Sequence, residues 1–116
     1  MSLELSRVIL FTPNVGALTT FYEQVIGLDV ITREEGWVEF RAGACGLALH
    51  AGQSVVGRRP PKLVFYAADV AAARAELVQR GLKSAGKVKS AGALALCDCK
   101  DPDGNAFQIS SRRPVS

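Results

Sequence analysis

The first half of the chain alternates short apolar runs with polar or glycine-containing breaks, which predicts several strands and one helix. Residues 7–12 are β-branched or aromatic and predict a strand buried on both faces or nearly so. Apolar positions then recur at helical spacing, with Asn14 placed to cap the helix and Gly27 to end it. Further strands are predicted at residues 28–32, 37–41 and 46–50.

The second half follows the same order after a polar link, residues 52–60, that contains glycine and proline. Residues 62–67 predict a strand, and Asp69 is an N-cap candidate for a helix that ends at Gly81. The remaining strands are predicted at residues 82–83, 87–88, 94–99 and 105–110. We interpret the chain as two β-α-β-β-β modules, at about residues 5–51 and 61–111, the second with one additional short strand.

The two modules repeat at an offset of about 55 residues. The strand openers Arg7 and Lys62 correspond in this repeat, and His50 is matched with Gln108 near the end of each module. Each module is too small to bury both faces of its sheet, so the two should pair. We therefore predict one α+β domain over residues 1–116, in which two βαβββ modules form a curved mixed sheet around a central cavity.

A turn joins the last two predicted strands. The segment Asp-Pro-Asp-Gly-Asn at residues 101–105 places proline where φ is fixed and glycine where φ is positive. Alternation after this turn directs Gln108 to the face opposite Phe107 and Ile109. The turn is predicted to be structural, and its importance is that it sets the position of Gln108.

Composition and charge narrow the function classes. The 116 residues are 48% apolar and 22% charged, which is ordinary for a globular domain. The net charge of +3 is spread along the chain rather than gathered in a stripe. The five phenylalanines fall in apolar patterns that predict core positions: Phe11, Phe21, Phe40, Phe65 and Phe107. We expect neither nucleic acid nor membrane as a partner.

The cysteines and the N-terminal sequence indicate in which cellular compartment the protein is expected. Cys45, Cys97 and Cys99 are an odd number without the spacing of a disulfide framework, which favours a reducing environment. No apolar run has the length of a membrane span, and the N-terminus lacks the basic-then-apolar pattern of a signal peptide. A cytoplasmic location is the expectation.

The doubled pattern resembles a known superfamily. The β-α-β-β-β repeat, the helix end Phe-Tyr-Glu-Gln-Val-Ile-Gly-Leu at residues 21–28 and the turn at residues 101–105 are similar to the glyoxalase, bleomycin-resistance and extradiol-dioxygenase family, also called the vicinal oxygen chelate fold. The resemblance covers residues 5–111. It implies the fold but not the reaction, because this scaffold supports isomerases, epimerases, dioxygenases, thiol transferases and non-catalytic drug binders.

The resemblance also implies where a metal would bind. Metal-dependent members take ligands, usually His or Glu, from the opening residue of the first strand and from the last strand of each half. In this sequence those four positions hold Arg7, His50, Lys62 and Gln108. Among these residues His50 is a good ligand and Gln108 is a weak one.

The two cations at these positions argue against a divalent ion. At about 4 Å and an effective dielectric near 20, a pair of unit charges interacts by roughly 4 kcal/mol, so inward-facing Arg7 and Lys62 would repel a metal. One histidine and one amide also fall short of the three protein ligands of catalytic zinc or non-haem iron sites. We therefore predict no metal ligands and no cofactor.

The remaining candidate residues are assigned to ligand binding. His50, the only histidine, is a candidate general base or a hydrogen-bonding group. Trp37 shares one strand face with Glu39 and is placed either on the pocket or at a subunit interface. Cys97 and Cys99 resemble half of a zinc site without a second pair, so we interpret them as wall residues.

These observations lead to a functional prediction with two alternatives. We predict metal-independent binding of a small organic molecule, anionic or neutral and aromatic, through Arg7, Trp37, His50, Lys62 and Gln108 together with Cys97 and Cys99. The first alternative is a metal-dependent lyase, isomerase or dioxygenase of the same superfamily, and under any catalytic reading His50 is the candidate catalytic residue. The second is a non-catalytic protein-interaction module. Open sheet edges predict a homodimer.

Overall fold

The computed structural model of the chain describes residues 5–53 and 61–113. Contacts divide the chain into two compact units, Met1–Arg58 and Arg59–Ser116. Most of the predicted link at residues 52–60 lies outside the described residues. Each unit holds one mixed sheet and one helical segment. This confirms the predicted α+β class with two modules, whereas the pairing of the modules, the single domain and the central cavity stay predictions.

The sheet of the first unit has the strand order β1-β4-β3-β2. β1 runs parallel to β4, and the other two pairs are antiparallel. A register shift between Val30 and Thr32 interrupts the pairing of β2 with β3. The strands are β1 (Arg7–Thr12), β2 (Asp29–Glu34), β3 (Trp37–Ala42) and β4 (Cys45–Ala51).

The helical segment of the first unit changes its geometry partway. An α-helix, α1 (Val15–Thr20), continues directly as a π-helix, Phe21–Ile26. Gly27 ends it with φ 89°, the left-handed conformation that glycine adopts without a steric cost. The rings of Tyr22 and Phe40 lie 6.2 Å apart, so the segment packs on the Phe40 side of the sheet.

The sheet of the second unit has the order β5-β9-β8-β6, with a further strand, β7, also paired with β8. β5 runs parallel to β9, and the other pairs are antiparallel. The strands are β5 (Leu63–Tyr66), β6 (Ser84–Ala85), β7 (Lys89–Ala91), β8 (Leu94–Lys100) and β9 (Ala106–Ser110).

The helix of the second unit, α2 (Val70–Gln79), has the predicted cap. Asp69 Oδ1 accepts a hydrogen bond of 2.9 Å from the backbone N–H of Ala72. Gly81, with φ 117°, follows the helix and allows the chain to reverse. The helix contacts β8 and β9.

The predicted turn before β9 is organised by a buried carboxylate. Asp101 Oδ1 accepts hydrogen bonds of 2.9 Å from the backbone N–H groups of Asp103 and Asn105. Asp101 Oδ2 accepts from Asn105 Nδ2 at 2.8 Å. Gly104 has φ 84°, as the turn requires. These bonds fix the register of β9 against β8.

One strand differs from the prediction. β1 was expected to be buried on both faces or nearly so, but Ile9 is 41% exposed and Phe11 is 53% exposed. Leu10 and Thr12 of the same strand are buried on the helix side. An apolar run shows that a strand is present but not whether both of its faces are covered. Phe11 is therefore a surface residue, not a core residue.

Candidate functional site

The open face of the first sheet, the side away from the helical segment, gathers polar and aromatic side chains. Because side chains alternate along a strand, Phe11 on β1, His50 on β4 and Trp37 on β3 share this face. The backbone register places Phe11 opposite His50, and His50 opposite Trp37. Three residues that are distant in sequence therefore form one row across the sheet.

The three side chains of this row are in ring contact. The Phe11 and His50 rings lie 5.3 Å apart at 50°, and the His50 and Trp37 rings lie 5.7 Å apart at 85°. The first pair is tilted and the second is edge-to-face, so neither has the unfavourable face-to-face arrangement. We call Phe11, His50 and Trp37 the aromatic row.

Arg7 extends the aromatic row on one side. Its guanidinium carbon lies 5.8 Å from the centre of the Trp37 ring, within the range of a cation–π contact. Arg7 Nε also donates to Glu39 Oε2 at 2.8 Å. This hydrogen bond and the charge of Glu39 raise the pKa of Arg7 above its ordinary value. The Arg7 side chain is nearly half exposed, whereas that of Glu39 is 10% exposed.

A glycine allows Glu39 to reach Arg7. β4 lies between β3 and β1, so the Glu39 side chain must cross it. It crosses at Gly46, where an added Cβ would collide with Glu39 Oε2. The absence of a side chain at position 46 thus permits an ion pair between residues 32 positions apart in sequence.

The second unit has a related ion pair on its own open face. Lys62 Nζ lies 3.3 Å from Asp98 Oδ1, and Gln108 Nε2 donates to the same oxygen at 3.0 Å. The bond from Gln108, and then the contact and charge of Lys62, hold the pKa of Asp98 below its ordinary value. Both side chains of the ion pair are 47% exposed.

The strand registers correct one correspondence from the sequence. In the second unit, Gln108 lies opposite Val64 and Asp98. In the first unit, the residue opposite Ile9 and Glu39 is Ala48. Ala48, not His50, is therefore the counterpart of Gln108. The match of His50 with Gln108 is thus two residues out of register. Alternation does not distinguish Ala48 from His50, because both lie on the same face of β4.

The residues at the implied metal positions do not fit a divalent metal. With the corrected register these positions hold Arg7, Ala48, Lys62 and Gln108. Arg7 and Lys62 are cations bound to carboxylates, and alanine has no donor atom. Within the described part of the chain, no three His, Cys, Asp or Glu side chains form a group able to hold a metal ion.

The two predicted wall cysteines are buried on β8. By register, Cys99 is opposite Phe107 and Cys97 opposite Ile109, so both sulfurs are on the buried face of the second sheet. Cys97 Sγ contacts Gly86 O at 3.2 Å and lies 3.7 Å from Cys99 Sγ. Burial, followed by the contact with Cys97, raises the pKa of Cys99 to about 12. Both cysteines therefore lie on the face opposite Gln108, but Cys99 also lines a cleft that Lys62 and Asp98 line.

The site includes three residues that the sequence patterns do not predict as site residues. Glu39 and Asp98 each bind one of the predicted cations, and Phe11 lies in the aromatic row. Alternation does place Glu39 on the face of Trp37, and Asp98 on the face opposite the cysteines. Their partners depend on the pairing of strands that are distant in sequence, which no local pattern shows.

Comparisons with known proteins agree with this fold. The sequence matches the model of the Glyoxalase/Bleomycin resistance protein/Dioxygenase superfamily over residues 4–109. The chain belongs to this superfamily. No curated protein matches the sequence. Membership in the glyoxalase superfamily confirms the resemblance stated from the repeat, the helix end and the turn.

Solved structures share the fold of this glyoxalase superfamily member. A lactoylglutathione lyase from Agrobacterium tumefaciens is 20% identical with a TM-score of 0.72, covering 95% of this chain and 94% of its own. A protein of unknown function from the same species, strain C58, is 24% identical with a TM-score of 0.77, at 95% and 94% coverage. A glyoxalase/bleomycin resistance protein/dioxygenase from Nocardioides is 15% identical with a TM-score of 0.75, at 100% and 90% coverage.

Neither α1 with its π-helical continuation nor α2, nor any other described helix, is long and apolar enough to cross a membrane.

Proposed function

We propose that this superfamily member binds a small aromatic organic molecule, neutral or anionic, on the aromatic row without a divalent metal. The observation that carries the proposal is the contact of Phe11, His50 and Trp37 on one open sheet face. Phe11 and His50 are exposed, and Trp37 is half-buried. Exposed rings held against one another by backbone pairing form a rigid surface on which a flat ligand can pack.

Arg7 supports the preference for an aromatic ligand. A guanidinium group can stack on a ring and can donate hydrogen bonds to a carboxylate or phenolate. Because Glu39 already neutralises part of its charge, Arg7 adds only a moderate attraction for anions. This arrangement favours ligands with delocalised or no charge over small, highly charged ions.

His50 supplies a directional contact on the same row. Its Nδ1 lies 2.8 Å from Ala51 O. Because a carbonyl oxygen only accepts, Nδ1 carries a proton, and Nε2 of the neutral ring is the acceptor. His50 would then accept a hydrogen bond from a ligand hydroxyl group through Nε2. The same atom could act as a general base if the bound molecule reacts.

Fluorescence of Trp37 tests the proposal directly, because it is the only tryptophan in the chain. We expect saturable quenching of Trp37 by at least one member of a panel of aromatic carboxylates and phenols. Affinity should fall roughly 2- to 12-fold in Phe11→Ala and in His50→Ala, each of which removes one ring contact. Ile31→Ala, an exposed apolar change on β2 of the same sheet, should leave affinity unchanged.

Two results would contradict this assignment. One is the absence of saturable quenching by every compound of the panel. The other is equal affinity in wild type, Phe11→Ala and His50→Ala, which would locate binding elsewhere.

Metal independence is tested on the same samples. Protein purified without an affinity tag and treated with a chelator should bind the aromatic probe as tightly as untreated protein. A stoichiometric first-row metal that is lost in His50→Ala would overturn the metal-free site. That outcome would instead support the metal-dependent lyase, isomerase or dioxygenase.

A further inference from the structure

A cleft that is chemically different from the aromatic row lies in the second unit. It has a volume of about 460 Å³, within the range of small-molecule sites. Its lining includes Lys62, Lys83 and Lys100, and its one acidic residue is Asp98. We propose that this lysine cleft binds a small phosphorylated molecule through its phosphate group. The inference uses none of the residues of the aromatic row and does not rest on the proposed function.

The strands place these charges on one side of the sheet. Lys100 and Asp98 alternate with the buried Cys99 on β8 and therefore share the open face. Ser84 of β6 lies opposite Lys100, and Ser84 also lines the cleft. Lysine ammonium groups with a nearby hydroxyl donor suit a phosphate, which accepts several hydrogen bonds at once.

The positive charge of the lysines is only partly neutralised by the acidic residue of the cleft lining. Asp98 pairs with Lys62 at 3.3 Å. Among residues 5–53 and 61–113, neither Lys83 nor Lys100 takes part in an ion pair. Three lysines against one aspartate leave two positive charges in excess, which matches the charge of a phosphate near neutral pH.

The backbone beside these lysines is held in place. Gly86 N–H donates to Asp98 O at 2.8 Å, and Arg74 Nε of α2 donates to Gly86 O at 2.7 Å. An added Cβ at Gly86 would approach Asp98 O to 2.7 Å, so this segment lies close against β8. The wall that carries Ser84 is therefore fixed against the strand that carries Lys100, which limits the ordering cost of binding an anion.

The test is a titration with inorganic pyrophosphate at constant ionic strength. Binding is monitored by the amide chemical shifts of isotope-labelled protein. We expect saturable shifts concentrated at residues 83–86 and 98–100. Lys83→Gln and Lys100→Gln should each weaken binding by about tenfold, because each removes one charged contact. Lys87→Gln, an exposed lysine outside the cleft lining, is the matched control and should bind as wild type does.

The Asp98→Asn variant distinguishes an effect on anion binding from a purely structural role. It keeps an oxygen to accept from Gln108 but removes the negative charge beside Lys62. Pyrophosphate should therefore bind several-fold more tightly to this variant, a gain that a purely structural role of Asp98 does not predict.

Three outcomes would overturn the inference. They are shifts that do not saturate, equal weakening by Lys87→Gln and Lys100→Gln, and an unchanged or weaker affinity in Asp98→Asn. None of them affects the quenching of Trp37 by aromatic compounds, so the two assignments fail separately.

Discussion

At the scale of single residues, the three cysteines differ in how accessible their thiols are. Cys97 and Cys99 are buried against the helix side of the sheet, whereas Cys45 is only half-buried. The pKa of Cys99 is raised by burial to about 12 from an ordinary value of 9.0. A thiol with so high a pKa is almost entirely protonated at neutral pH and is a poor nucleophile.

We therefore predict selective labelling of Cys45 in the folded protein. At pH 8 the thiolate fraction of Cys99 is roughly a thousandfold below that of an ordinary cysteine, and Cys97 is shielded by burial. A colorimetric thiol reagent should titrate one fast thiol in native protein and three in denaturant. Cys45→Ser should remove the fast one. Three equally fast native thiols would contradict the buried placement.

The same shift has a consequence for stability. Because the folded-state pKa of Cys99 is raised, the unfolded thiol ionises first as the pH rises. Folding stability attributable to Cys99 is thus complete below about pH 9 and decreases as the pH increases toward 12.

At the scale of elements, the turn between β8 and β9 determines where Gln108 lies. Asp101 is buried and accepts three hydrogen bonds within the turn, from Asp103 N, Asn105 N and Asn105 Nδ2. A carboxylate with this many donors is difficult to replace, because its loss leaves partly buried N–H groups without an acceptor.

Asp101→Ala should lower the free energy of unfolding by roughly 2–4 kcal/mol, measured by urea denaturation. Asp101→Asn is the matched variant. Its remaining carbonyl oxygen can still accept from the two backbone N–H groups, so its loss should be clearly smaller. Equal stability of wild type and Asp101→Ala would show that the turn does not depend on this carboxylate.

At the scale of the whole molecule, edge strands point to self-association. β1 and β5 are edge strands of their own sheets and expose apolar side chains at positions related by the repeat. Ile9 is 41% exposed and Val64 is 58% exposed. Open apolar edges favour pairing with a second copy. We accordingly propose that the protein is a homodimer.

Light scattering at micromolar concentration should give twice the chain mass of 12.3 kDa. Val64→Lys should raise the dissociation constant of the dimer by at least about tenfold, because it places a charge on an apolar contact. Val78→Lys on α2 is a control of similar exposure and should leave the mass unchanged. A monomeric mass for wild type would contradict the dimer.

Much of the fold could be predicted from the sequence because its signals are local. The alternation of apolar and polar residues predicted the strands. Asp69 caps the helix, Gly81 follows its end, and Asp101 holds the turn, as their local sequence indicates. The site was predicted only in part. The Arg7–Glu39 pair spans 32 positions and depends on strand order, and the register, not the strand pattern, distinguishes Ala48 from His50.

Because Glu39 passes over Gly46 and binds Arg7, its carboxylate competes with any external anion for this arginine. An external anion that approaches Arg7 must compete with a carboxylate that already binds Arg7 Nε at 2.8 Å on the same scaffold. A tethered partner acts at a high effective concentration, so small inorganic anions in the surrounding solution exchange with it poorly. A flat molecule that packs on the rings need not break the pair. The first sheet would therefore select its ligand by shape before charge.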